Sequence, residues 1–214
     1  MQDADKKKFQ SIFAQIKEEH KNNPQPANRT KNSDILIVDG TNNFIRCWTV
    51  VPTLNDNGEH VGGISGFLTS MGYAIKLLKP TRVIVVFDGK GGSLRRKKIY
   101  PEYKEKRAMT VRVNRAYEDM SDPDTEKKAM LQQMSRLIDF MRELPVSIVC
   151  IDNIEADDAI AYITTQMHKD AKVTIMSGDK DFLQLVSDRV QIWSPIKKKI
   201  YGVQDVINQY GVHP

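Results

Sequence analysis

Short apolar runs punctuate this chain at intervals: ILIV at 35–38, VIVVF at 83–87, a run from Val146 to Ile151, VTIM at 173–176 and VQIW at 190–193. Each has the length of a strand and is bounded by charged or turn residues, the mark of strands buried on both faces. Between them the apolar positions change to helical spacing. Ile64, Phe67, Leu68, Met71, Ile75 and Leu78 share one face of a helix that Pro80 ends. Met130, Met134, Leu137, Ile138, Met141 and Leu144 mark the buried face of a second, longer helix, its methionines serving as core filler. A short helix opens on Glu155, Asp157 and Asp158, and Asp179 and Asp181 occupy the turn after the VTIM strand. Residues 197–201 (KKKIY) pair back as a hairpin before a last helix, Val203 to Tyr210. Strands alternating with helices predict an α/β fold with a parallel-rich central sheet flanked by helices.

Residues 1–33 read differently. They form a polar extension ending in the linker KNNPQPANRTKNS, with Phe9, Ile12, Phe13 and Ile16 at the spacing of a small amphipathic helix. The domain proper is expected at 34–214.

Composition narrows the function classes. With 40% apolar and 28% charged residues the chain is an ordinary soluble type, and no apolar run approaches the ~20 residues of a membrane span. Membrane partners are therefore not expected, and a cytoplasmic location is (host cytoplasm if phage-encoded). Two cysteines, Cys47 and Cys150, predict packed thiols in a reducing compartment; the four histidines have no ligand spacing, so zinc is not expected. The net charge of +5 is unevenly spread: ten Lys/Arg and two Glu between Lys90 and Arg115 make that segment +8 and leave the rest at −3. Tyr100, Tyr103 and Tyr117 lie in or beside it. Cations for phosphates with rings for unpaired bases point to single-stranded nucleic acid.

The acids carry the chemistry. Asp39 and Asp88 each end a strand, Glu155, Asp157 and Asp158 open a helix, and Asp179 and Asp181 follow another strand. Singly, each is explained by a turn before glycine or by the positive end of a helix. Together they predict one acidic pocket at the carboxyl edge of the sheet, where open α/β sheets bind ligands. Acids that close repel unless a cation lies among them, and oxygen-only donors suit a hard divalent ion. Beside a basic arm, the natural reaction is phosphodiester hydrolysis with two Mg²⁺ ions, Mn²⁺ being able to substitute.

The motifs IVDGTN (37–42), VVFDGKGGSLRR (85–96), YPEYKEKR (100–107), IEADDAIA (154–161) and SGDKDFLQL (177–185) resemble, in order and spacing, those of the 5′ nuclease (flap endonuclease) family. That family covers the 5′-nuclease domain of bacterial DNA polymerase I and related phage enzymes, some called ribonuclease H. The resemblance implies a PIN-like (resolvase-like) fold with two Mg²⁺ ions held by the seven acids. It makes the basic segment, about 89–120, a helical arch or loop through which a single-stranded 5′ end passes. Lys104 and Arg107 fall on the phosphate-contacting catalytic pair; Arg95, Arg96, Lys97 and Tyr103 join them as nucleic-acid-binding residues. Leu94 stands where the family usually has Phe, and Gly92 where Lys is common.

The family continues into a helix-hairpin-helix-like module that grips duplex and adds metal-binding aspartates. The sequence ends before it, so either it is a fragment, or the module is supplied separately, or duplex binding is done otherwise; the expectation is an incompletely liganded metal site, reduced activity and weak duplex discrimination. Expected partners are DNA with a single-stranded 5′ flap, an RNA–DNA primer and replication proteins. Two other readings use the same residues: a compact PIN-type ribonuclease, which lacks so long an arch, and a non-catalytic single-strand-binding module, which gains nothing from seven clustered acids.

Overall fold

In the computed structural model, residues 30–103 and 123–214 are described, and Asn32–Pro214 form one compact unit. The expected N-terminal helix and most of the arch, Tyr117 included, lie outside the described residues.

Six strands make one sheet: β1 Asp34–Asp39, β2 Arg82–Asp88, β3 Ser147–Ile151, β4 Lys172–Met176, β5 Val190–Ser194 and β6 Lys199–Tyr201, in the order β3-β2-β1-β4-β5-β6. All pairs are parallel except the β5–β6 hairpin. The chain walks outward from β1 to β3, then returns to the other side of β1 with β4. β1 is thus central, and the apolar run Ile35–Val38 is almost wholly buried because helices cover both faces. The gap between β1 and β4 is where the winding reverses, the place at which such sheets open a ligand crevice.

Alternation along the strands builds two cores. Ile35, Ile37, Ile84, Val86, Val173 and Ile175 face Ala159, Ile160 and Ile163, from helix α5 (Ala156–Tyr162) and the π-turn Ile163–Met167 that extends it. Leu36, Val38, Val83, Val85 and Met176 face helices α1 (Gly40–Val50), α2 (Gly62–Leu78) and α4 (Pro123–Arg142). There Phe44, Trp48, Phe67, Met71, Leu137 and Met141 close the layer. A short helix α3, Leu94–Ile99, lies in the described part of the basic segment, and α6, Val203–Tyr210, follows the hairpin. The π-turn widens the end of α5; Arg189 donates to the carbonyls of Thr164 (3.0 Å), His168 (3.3 Å) and Ala171 (3.4 Å) there.

Two sequence expectations need correction. Cys150 is exposed, not packed, because β3 is an edge strand whose last two residues face solvent, while Cys47 is buried as expected. Leu144 is 41% exposed because α4 stops at Arg142, before its helical spacing can return it to the core. Helix α1 has no counterpart in the sequence reading. Asn42, Asn43, Arg46 and Thr49 interrupt its apolar pattern, and its register emerges only once Phe44 and Trp48 are seen packed on β1 and β2.

Candidate metal and nucleic-acid site

The acids lie at the starts of helical turns because those turns have unsatisfied amides to offer. Asp39 is the N-cap of α1, accepting the Asn42 amide on Oδ1 at 3.2 Å. Its Oδ2 accepts the Ser177 hydroxyl at 2.8 Å, and the Ser177 oxygen in turn accepts the Asp179 amide at 3.0 Å. Asp179 caps the 3-10 helix Lys180–Leu185, taking the Asp181 amide at 2.9 Å. Asp88 accepts the Ala156 amide at the start of α5 at 2.8 Å, while its own amide donates to the Thr41 hydroxyl. Glu155 is the N-cap residue of α5, with Asp157 and Asp158 in the first turn.

Glycine permits two close approaches here. A Cβ on Gly40 would come within 2.8 Å of the Phe87 ring and the Val86 carbonyl, and one on Gly89 within 1.7 Å of the Ile151 carbonyl oxygen. The chain leaving β2 therefore runs tight against the end of β3, which brings Asp88 to the mouth of α5.

Electrostatics join Asp39, Asp88 and Asp179. Burial pushes the Asp39 carboxyl up to about 6; the Ser177 and Asn42 hydrogen bonds oppose this, and the nearby Asp88 and Asp179 carboxylates add to it. On the α5 side, Glu155, Asp157 and Asp158 each place one oxygen within 4.8 Å of the others. Glu155 is buried, Asp157 and Asp158 about half exposed. Asp181 is exposed one residue past the 3-10 helix start, and its amide donates to Asp179. The donors are all carboxylate oxygens around a shared edge, which fits hard divalent ions.

Of the cationic residues singled out in the sequence, Arg96 reaches this edge. Its guanidinium contacts Glu155, Asp157 (3.3 Å) and Asp158 (2.8 Å), and its carbon lies 5.6 Å from the centre of the Tyr103 ring. The Tyr103 hydroxyl donates to Glu155 at 3.0 Å. Partial desolvation works against the Arg96 charge, but Asp157 and Asp158 outweigh it and hold the group further into its charged range. Lys97 is exposed on α3. Lys104, Arg107 and the Arg95 side chain lie outside the described residues.

Sequence reasoning missed the residues that hold the acids in place. Thr41, Asn42 and Ser177 were part of recognised motifs, yet only the structure shows their hydroxyl and amide groups bridging β1, β2 and β4. Their signal was adjacency: each stands one to three residues from an acid.

Helices on both faces of a mostly parallel six-stranded sheet, with acids at its carboxyl edge, define a doubly wound α/β domain. The chain belongs to the 5′-3′ exonuclease N-terminal, resolvase-like domain family, whose model matches residues 34–211. It is 31% identical over 182 residues to a 5′-3′ exonuclease of Aquifex aeolicus, covering 84% of this chain and 57% of that protein. It is 29% identical over 198 residues to DNA polymerase I of Rhizobium leguminosarum, covering 88% of this chain and 18% of the polymerase. Among solved structures, the bacteriophage T5 D15 protein co-crystallized with metal ions superposes with a TM-score of 0.65 at 23% identity, over 84% of this chain and 61% of that one. The T5 flap endonuclease in a complex with DNA and metal ions gives 0.63 at 22%, over the same shares. At that identity the likeness is one of fold, and it agrees with the expected resolvase-like architecture. The chain spans under two thirds of these relatives' lengths.

Proposed function

We propose that this domain is the catalytic part of a metal-dependent 5′ nuclease that hydrolyses phosphodiester bonds at 5′ flaps and ends of DNA, and at RNA primers, during DNA replication. One observation carries the reading. Asp39, Asp88 and Asp179 interact electrostatically at the carboxyl edge of β1, β2 and β4, and Asp88 is hydrogen-bonded to the helix start that bears Glu155, Asp157 and Asp158. A group of like charges this tight is costly unless cations occupy it. The name of relatives in Aquifex aeolicus and Buchnera aphidicola, 5′-3′ exonuclease, supports the same reaction.

In this reading Asp39, Asp88, Glu155, Asp157, Asp158, Asp179 and Asp181 hold two divalent ions, Mg²⁺ first, with Mn²⁺ as substitute. Such ions, when bound, activate a water and stabilise the leaving oxygen. The chain's own work is positioning. Thr41, Asn42 and Ser177 hold the acid-bearing turns in register across three strands, and burial of Asp39 and Glu155 keeps bulk water from their carboxylates. Lys104 and Arg107 steady the scissile phosphate, while Arg95, Arg96, Lys97 and Tyr103 guide the single strand. Among the described residues no helix is long and apolar enough to cross a membrane. A cytoplasmic location, replication proteins and a separate duplex-gripping module as partners, and a domain occupying 34–214 after a 1–33 extension, complete the proposal.

The test is cleavage of a 5′-labelled flap duplex with Mg²⁺ or EDTA, alongside Asp179→Asn and the double variant Lys104→Ala, Arg107→Ala. Metal-dependent cutting near the junction, lost in both variants, is expected. Cutting that persists in EDTA, or in Asp179→Asn at the wild-type rate, refutes the reading.

A further inference from the structure

The α5 acids already have a counter-ion, and it comes from the chain itself. Arg96 spans from α3 to all three carboxylates, and the Tyr103 hydroxyl binds the buried Glu155 from the same side. The sequence places Arg96 among residues that meet nucleic acid, yet its guanidinium is turned onto the acids. We propose that Arg96 is an internal latch: it neutralises Glu155, Asp157 and Asp158 while no divalent cation is bound, and a cation must displace it to bind there. This rests on the metal reading above.

The geometry makes the two occupants exclusive. The guanidinium nitrogens lie 2.8 Å from Asp158 Oδ1 and 3.3 Å from Asp157 Oδ1, and Nη1 also meets Glu155 Oε2, so a divalent ion drawn to these oxygens meets a positive charge already among them. Glu155 is 4% exposed, and a carboxylate that buried requires a partner in either state. The latch is nevertheless releasable. Arg96, Asp157 and Asp158 keep 32%, 44% and 55% of their side chains in water, where each pair is individually weak. Loss of the arginine proton does not open it, because the guanidinium stays charged at every working pH. Release needs a competing cation on the acids or an anion for the guanidinium. In the latched position the guanidinium also lies 5.6 Å from the centre of the Tyr103 ring, and once displaced from the acids it is available to a phosphate. Cation loading and strand binding would therefore favour each other, since each removes the other's competitor.

Divalent-ion binding tests this directly. Mn²⁺ affinity is measured by calorimetry on the whole chain, with metal-free and Mn²⁺-loaded melting temperatures, for wild type, Arg96→Ala, Arg96→Gln, Arg96→Lys and Asp179→Asn. A latch closed about nine-tenths of the time weakens apparent affinity about tenfold. Arg96→Ala and Arg96→Gln should therefore bind about tenfold tighter, with Arg96→Lys in between. Both neutral variants should melt lower without metal yet gain more on loading, a split that a merely structural role would not produce. Unchanged or weaker affinity in both neutral variants overturns the latch while leaving the metal reading intact. Absence of Mn²⁺ binding in every variant removes the metal reading and the latch with it.

Discussion

The Ser177 hydroxyl donates to the Asp39 carboxylate at 2.8 Å across 138 residues of sequence. The same oxygen accepts the Asp179 amide, so one small side chain ties the ends of β1 and β4 together at the winding reversal. Ser177→Ala leaves a buried carboxylate oxygen and an amide without this partner. The expected cost is about 1–3 kcal/mol in urea unfolding, with a further rise in the Asp39 pKa followed by NMR titration.

Asp39 gives the metal-free protein a pH signature. Its folded pKa of about 6 lies above the reference 3.8, so its ionisation opposes folding. Its contribution is fully present below pH ~4 and is lost as pH rises through about 6, up to about 3 kcal/mol in all. Asp39→Asn should therefore gain stability relative to wild type from pH 4 to 7 in EDTA, measured by parallel denaturant melts. A difference that stays flat across that range contradicts the burial argument.

Gly89 should tolerate no side chain. A Cβ would lie 1.7 Å from the Ile151 carbonyl oxygen, and both partners are backbone. Gly89→Ala is expected to cost about 3 kcal/mol or more and to shift the amide resonances of Asp88 and Ala156, which report the hydrogen bond between them.

Gln133 acts at the start of α2. From α4 it donates to the His60 carbonyl and accepts the Ile64 amide in the first turn of α2, whose N-terminus has no side-chain cap of its own. Gln133→Ala should lower stability by about 1–3 kcal/mol at unchanged denaturant slope. Cleavage per folded molecule should not change.

A bound cation adds its own linkage. Chelation should lower the melting temperature of wild type, and saturation at a hundredfold excess over Kd should restore about 2.7 kcal/mol. Asp179→Asn should show much less of this difference.

The strands were readable because runs such as Ile35–Val38 and Val173–Met176 are short, bounded by charged or turn residues, and buried on both faces of a sheet covered by helices. The acids were readable because each follows a strand or opens a helix. Helix α1 was not. Its polar positions face the site and the solvent, and Asn42 and Asn43 read locally as loop. Cys150 was misplaced because an apolar run does not say whether its strand is central or at an edge. The Arg96 contacts were invisible for another reason: its charge matched its neighbours in sequence, and its partners lie about 60 residues away.

The order of the sheet has a consequence for synthesis. β1 pairs with β2 on one side, but its other edge is filled only by β4, more than 130 residues later. A chain emerging from a ribosome exposes that edge, with its unpaired amides, until residues 172–176 arrive, and it is most prone to aggregate in that interval. Ser177 and Asp179 follow immediately behind β4. The Asp39–Ser177–Asp179 part of the acidic edge therefore comes together only as β4 joins the sheet, when most of the domain already exists.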